Sequence, residues 1–159
     1  MKTIAIKGGL FALVDDEDYE ELKRYKWFIR RGKKTNYVRR SQDGKEVAMH
    51  HHLIGRAEGL RVDHVDGNGL NNQKNNIRHV TGRQNSQNIK TVKTSSRFPG
   101  VHWHKRDKRW QSAFRIGNTK THIGSFTKEE EAFFAYREAL NNRGELLLPE
   151  WQNYEACHG

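Results

Sequence analysis

The stretch Val62-Asp63-His64-Val65-Asp66-Gly67-Asn68-Gly69-Leu70-Asn71-Asn72-Gln73-Lys74-Asn75-Asn76-Ile77-Arg78-His79-Val80-Thr81-Gly82-Arg83-Gln84-Asn85 decides the fold of this chain. Asp63-His64 ends a short strand, and the Gly- and Asn-rich residues after it can only turn. Ile77 to Thr81 reads as a second strand, and a helix starting near Gly82 to Gln84 carries Asn85. A strand-loop-strand-helix unit of this kind can bring Asp63, His64, Asn76 and Asn85 to one surface. Carboxylate and amide oxygens from Asp63 and Asn85 suit a hard cation such as Mg²⁺ or Mn²⁺, with positions left for water and phosphate. A neutral imidazole beside them, His64, can take a proton from water. Asp66 and Asn68 are read as loop-shaping residues, and His79 as a strand histidine. In the run His50-His51-His52 the side chains cannot all face one ion, so it is not read as a zinc site.

This segment resembles the HNH nuclease motif, the ββα-metal finger, in the form found in phage and intron homing endonucleases. The resemblance covers residues 49–88. It implies that His64 is the general base, that Asp63 and Asn85 are the metal ligands, and that Asn76 braces the loop carrying the base. Upstream, Met49-His50-His51-His52-Leu53-Ile54-Gly55 resembles the family's His-Arg-Leu segment. His51 then stands in the His place and His52 where Arg is usual, which makes both of them DNA contacts.

Outward from the motif, charge and composition set the partner. The chain has 159 residues, 29 Lys and Arg against 19 Asp and Glu, and a net charge of +10, which points to a polyanion such as DNA. Hydrophobic residues make up 34%, too few for one large core, so small layers with separate cores are expected. The longest apolar run, Gly9 to Val14, cannot cross a membrane, and the first residues lack a secretory h-region. A single cysteine, Cys157, excludes a disulfide framework and a cysteine-rich zinc ribbon. A cytoplasmic, reducing setting is the resulting expectation.

Before the motif, Thr3 to Lys7 and Leu10 to Val14 read as a hairpin around Gly8-Gly9. Asp15 reads as the Asx cap of a short helix, with Asp16, Glu17 and Asp18 against its positive dipole end. Trp27 to Arg31 and Asn36 to Arg40 suggest a second hairpin over Gly32-Lys33-Lys34. Lys23 to Lys45 carries ten cations against the one acid Asp43. A basic region and the nuclease motif thus fill residues 1–88, with a polar linker at 89–96.

A second module is expected at residues 97–146, followed by a tail at 147–159. Val101 to His104, Trp110 to Ile116 and Thr119 to Gly124 look like three strands. Thr127-Lys128-Glu129-Glu130 reads as a capping box opening a helix that Gly144 closes. Gly100-Val101, Trp110 to Arg115, Ile123-Gly124-Ser125-Phe126 and Ala135-Tyr136 resemble the Apetala and ethylene-response-factor type of DNA-binding domain. That family lays a three-stranded sheet in the major groove. The resemblance, with strand alternation, puts His102, His104, Arg115, Lys120 and His122 on the DNA face beside Ala113, and adds Arg106 and Arg109 as basic contacts. Pro99, His102, His104 and Ala113 depart from the plant pattern, so no target sequence carries over. Lys93 to Thr127 holds eight cations and one acid, whereas Lys128 to Gly159 holds three cations and seven acids. That asymmetry turns the sheet toward phosphate.

The expectation is therefore an α+β chain: a ββα-metal HNH nuclease region plus a small three-stranded antiparallel sheet with one packed helix. It would be a metal-dependent DNA endonuclease of homing type that nicks double-stranded DNA. The competing reading is a sequence-specific DNA-binding regulator that keeps the fold without cleavage.

Overall fold

The computed structural model describes residues 1–32, 35–88 and 95–155, and the chain divides into two compact units, Met1–Thr91 and Val92–Gly159. Both are mixed α/β with small antiparallel sheets.

The first unit opens with the expected hairpin, β1 (Lys2–Ile6) and β2 (Leu10–Val14). Gly8 and Gly9 turn it at φ 105° and 80°, a region costly for residues with a Cβ. Alternation sends Ile4, Ile6, Ala12 and Val14 inward, where they pack with Leu22, Trp27, Val38 and Met49. Helix α1 (Asp16–Leu22) follows with Asp15 at its N-cap. The cap departs from expectation, because the Asp15 carboxylate leaves the helix unbonded. It accepts instead from the Lys74 backbone N–H at 2.8 Å and from Gln73 Nε2 at 3.1 Å. The Trp27 indole N–H donates to the Leu22 carbonyl at 2.8 Å and closes the helix against the next strand.

Strands β3 (Phe28–Arg31) and β4 (Asn36–Gln42) form the second hairpin, though Lys33 and Lys34 of its turn lie outside the described residues. A strand beyond expectation, β5 (Lys45–Ala48), completes a sheet of order β3-β4-β5. Its turn is Asp43-Gly44, with φ 50° and 73°, the dipeptide that a tight hairpin favours. Helix α2 (Met49–Ile54) then leads to the ribbon β6 (Arg61–His64) and β7 (Ile77–Val80). Helix α3 (Gly82–Gln87) starts on a capping box between Thr81 and Gln84.

In the second unit, β8 (Val101–His104), β9 (Arg109–Ile116) and β10 (Thr119–Phe126) form a sheet of order β10-β9-β8. Helix α4 (Glu129–Asn141) lays Ala132, Phe133, Tyr136 and Leu140 on it. Its N-cap is Lys128 rather than Thr127, whose hydroxyl donates to Glu131 at 3.3 Å. Gly100, at φ 73°, lies under the Tyr136 ring, where an added Cβ would overlap ring carbons.

The expected tail is part of this core. Leu147 and Leu148 are fully buried, and Trp151, on α5 (Pro149–Gln152), and Tyr154 pack around Phe98 and Phe133. The segment has no helical or strand periodicity, so its burial was invisible locally. Of the linker, residues 89–94 lie outside the described residues. Ser95 and Ser96 belong to the second unit: the Ser95 hydroxyl accepts from the Trp103 N–H, and Ser96 donates to Glu129. No helix among the described residues is long and apolar enough to cross a membrane.

Candidate active site

The β6–β7 ribbon pairs Asp63 with Arg78, His64 with Ile77 and Val62 with His79. Alternation sends Asp63 and His64 to opposite faces. Asp63 is buried and charge-compensated: Arg78 donates to Oδ2 from Nε at 3.2 Å and from its guanidinium terminus at 3.1 Å. Asn88, at the C-cap of α3, donates through Nδ2 to Asp63 Oδ1 at 3.0 Å and to the His64 carbonyl at 2.9 Å. Asn88 thus ties helix to strand where the two candidate side chains diverge.

Asn85, one turn earlier on α3, is half-buried; its backbone N–H bonds Thr81. The structure gives no hydrogen bond from its side chain to Asp63, so the amide that reaches the carboxylate is Asn88. A spacing of three residues puts Asn85 and Asn88 on the same helix face. No group of three or more His, Cys, Asp or Glu among the described residues could hold a metal.

His64 is 4% exposed, and its Nε2 has no hydrogen-bond partner. Around it stand the Tyr37 ring at 5.9 Å, the His50 ring at 5.3 Å and the fully buried Asn72. Burial pushes its pKa below the usual histidine value, while Asn72, Asp66 and Asp63 pull the other way without overcoming it. His64 is therefore neutral at neutral pH, the state in which it can accept a proton.

Asn76 holds the loop that follows His64. Its Oδ1 accepts from the Asp66 N–H at 3.0 Å, and its Nδ2 donates to Asp66 Oδ1 at 3.0 Å and to the Asn71 carbonyl at 2.8 Å. Asp66 also accepts from the Asn68 N–H and from Asn71 Nδ2. Burial would raise the Asp66 carboxyl, but these bonds from Asn68, Asn71 and Asn76 hold it below the ordinary range. From the other side, β2 fixes the loop through Leu13 N–H to Leu70 O and Asn72 N–H to Leu13 O, at 2.9 and 2.8 Å.

Among the three histidines of α2, the structure separates roles that the sequence left merged. His50 is the one against His64; its Nδ1 is buried without a partner. His51 stacks edge-on against His50 at 4.5 Å and is half-buried. His52 turns to the opposite side, bonded to Glu21 at 2.7 Å and Arg40 at 3.2 Å, and packs on Tyr25 and Trp27. His52 is thus engaged in a structural network, at a distance from the His64 face.

Burial, with neighbouring His51, His64, Arg39 and Arg56, drives the His50 pKa down to about 3. The unfolded chain would protonate His50 near 6.5, whereas the fold keeps it neutral. Its contribution to stability is complete above pH 6.5 and is lost as pH falls toward 3, with a slope of up to about 1.4 kcal/mol per pH unit. Denaturant melts across this window should show a shallower acid loss for His50→Gln than for the parent; equal slopes would show that His50 does not titrate on unfolding.

In the second unit, register places His102 opposite Gln111, His104 opposite Arg109, Ala113 opposite His122 and Arg115 opposite Lys120. These residues share the sheet face away from Phe114 and the helix. Burial lowers the His102 pKa, reinforced by Lys120, His104 and His122 nearby. His104 bonds Asp107 at 3.0 Å, and Arg115 reaches the Asn118 carbonyl at 3.4 Å. Arg106 is exposed in the β8–β9 turn. Trp103 and Trp110 pack edge-to-face at 5.1 Å.

Sequence reading gave no site role to His50, Tyr37, Asn72 or Asn88. Only Asn72 and Asn88 carried a local signal, as further Asn residues flanking the loop and the helix end.

No family model matches the chain, and no solved structure matches it. Protein 3.8 of Escherichia phage T7 is 29% identical over 90 residues, 56% of this chain and 74% of that protein. An uncharacterized HNH endonuclease of Acanthamoeba polyphaga mimivirus is 33% identical over 135 residues, 80% of this chain and 67% of that protein. A match of 135 residues is longer than either unit, so the likeness runs through both. That extent of shared sequence, together with the strand-loop-strand-helix unit that carries Asp63 and His64, shows that the chain belongs to the HNH endonuclease family.

Proposed function

We propose that this protein is a metal-dependent DNA endonuclease of homing type that hydrolyses one phosphodiester per active site. The observation that carries this reading is His64: a neutral imidazole at a strand end, its Nε2 unpartnered, followed by a loop that Asn76 holds. An orphaned buried nitrogen is costly unless a ligand group or water completes it.

The metal reading rests on residue type, since in the structure both Asp63 oxygens already accept from Arg78 and Asn88 and no bond joins Asp63 to the Asn85 side chain. Asp63 offers carboxylate oxygens, and Asn85 an amide oxygen on the helix face that carries Asn88. Asp63 and Asn85 would hold Mg²⁺ or Mn²⁺, which supplies positive charge to the scissile phosphate when bound. This chain's own part is proton transfer and positioning. His64 Nε2 takes a proton from water as the water oxygen bonds to phosphorus. The bond from phosphorus to the 3′ oxygen breaks, and that oxygen takes a proton from solvent water, giving 3′-hydroxyl and 5′-phosphate ends. Asn76 keeps the loop after His64 in place, and the bonds from Arg78 and Asn88 fix the Asp63 carboxylate in its buried position. One such site per chain favours a nick.

The exposed sheet face of the second unit supports its reading as an Apetala- or ethylene-response-factor-like DNA-binding module. His102, His104, Arg106, Arg109, Arg115, Lys120 and His122 would face the duplex there, with His51 beside the catalytic end. Cutting the chain after Thr91 should leave a unit that still nicks weakly but with little site preference. Its binding should depend less on salt, by roughly 0.9 in log-log slope for each phosphate contact removed. Arg115→Ala in the intact chain should cost about 1–3 kcal/mol at a preferred site if it reads a base. A truncated unit with the parent's site preference and salt slope would remove DNA binding from the second unit.

One observation favours the competing regulator reading: His64 is sealed by Tyr37, His50 and Asn72. A supercoiled-plasmid nicking assay with and without Mg²⁺ decides between them, because a regulator binds and leaves the plasmid closed.

A further inference from the structure

We propose that Asp15, outside the nuclease motif, is a positioning residue for His64, acting through the loop between β6 and β7. The inference rests on the endonuclease reading above. Asp15 lies between β2 and α1, and in sequence alone it is an ordinary helix cap. In the structure its carboxylate makes no cap bond. Both oxygens cross to the loop instead: Oδ2 accepts from the Lys74 backbone N–H at 2.8 Å, and Oδ1 from Gln73 Nε2 at 3.1 Å.

These bonds finish a clamp begun by the preceding strand. Leu13 pairs with Leu70 and Asn72 through backbone bonds, so residues 13–15 grip the loop at residues 70, 72, 73 and 74. The loop reaches His64 through the backbone, with Gly67 N–H donating to the His64 carbonyl at 2.8 Å and Val65 N–H to the Asn76 carbonyl at 2.8 Å, while Asn72 within it is wholly buried. Asn76 closes the loop two residues beyond Lys74. The loop is rich in Gly and Asn and has little apolar material of its own, so its conformation depends on such external bonds. A charge-assisted bond to a backbone N–H is among the stronger ones available, and helix α1 gives up its cap to supply it.

The test measures single-turnover cleavage, DNA affinity and amide hydrogen exchange on the full chain. Asp15→Ala is expected to slow cleavage on the order of 10–100-fold with unchanged DNA affinity, as misplacement of a reacting group does. Exchange should rise at Lys74 and Asn72 while β1 and β4 stay protected. Asp15→Asn, which keeps an acceptor oxygen for the Lys74 N–H, should restore most of the rate. Glu17→Gln, which removes only a surface partner of the Lys74 ammonium, should cleave as the parent does.

Parental cleavage by Asp15→Ala would overturn the proposal, as would equal losses of rate and affinity, or exchange rising across the whole unit. Should the parent cut no DNA, the endonuclease reading fails by itself. Exchange then still decides the clamp: a rise confined to the loop upholds it, and none overturns it.

Discussion

His64→Ala is expected to abolish measurable nicking, with a loss of at least about 100-fold, while DNA affinity stays within a few-fold of the parent. The imidazole is almost wholly buried and contacts Tyr37, His50 and Asn72, with Nε2 unpartnered, so it has no means of anchoring a duplex. Its removal takes away a proton acceptor and leaves phosphate contacts on other residues intact. Burial lowers the His64 pKa, so the acidic limb of the parent's rate profile should fall below the ordinary histidine value, the rate declining as pH drops through it. Nicking and gel-shift measurements on the same preparations check this. Cleavage and affinity lost in equal measure would assign His64 a binding or structural part.

Asp63 should give a compound effect. Asp63→Ala removes a proposed metal oxygen and also strips Arg78 and Asn88 of their shared acceptor. Cleavage should vanish at every Mg²⁺ concentration, and unfolding stability should fall by about 1–3 kcal/mol, the usual cost of leaving a charged or amide donor without its partner. Asp63→Asn separates the two parts. Its amide oxygen can still accept from Arg78, so stability should recover more than activity does. Denaturant unfolding beside metal-dependent nicking reads both. Cleavage by Asp63→Ala in the presence of EDTA would dismiss the metal-assisted mechanism.

Much of the framework was legible because it is written in short-range chemistry. Gly8-Gly9 between two alternating strands, the turn residues after His64, and the Thr81/Gln84 capping box each act within a few residues of themselves. The three strands and helix of the second unit were visible for the same reason. Where reading was incomplete, a local signal had a competitor. Thr127 looked like the cap of α4, but its hydroxyl pairs with Glu131 and the helix starts one residue later. Asp43-Gly44 is a hairpin dipeptide, yet β5 after it opens on the polar pair Lys45-Glu46, which hides the strand from a reading of apolar alternation.

The candidate site was legible as a set of residue types at a spacing, and less so as an arrangement. His50, His51 and His52 are adjacent in sequence. Helical rotation sends His50 against His64 and His52 against Glu21 and Arg40, a separation that depends on what packs on each side of α2. Asn85 carries the motif position, while Asn88 makes the bond to Asp63 because the helix end comes closest there.

By itself, the sequence determined the basic character of the chain, the strand-loop-strand-helix unit, and which side chains could do proton and metal chemistry there. Those properties follow from composition and from backbone preferences over a few residues. Only the tertiary structure decided that Asp15 abandons its helix for a loop 59 residues away, that Leu147 and Leu148 complete a core, and that His50 rather than His51 lines His64. Each of those is a contact between segments distant in the chain. Its energy comes from burying or pairing groups whose neighbours exist only once the chain has folded.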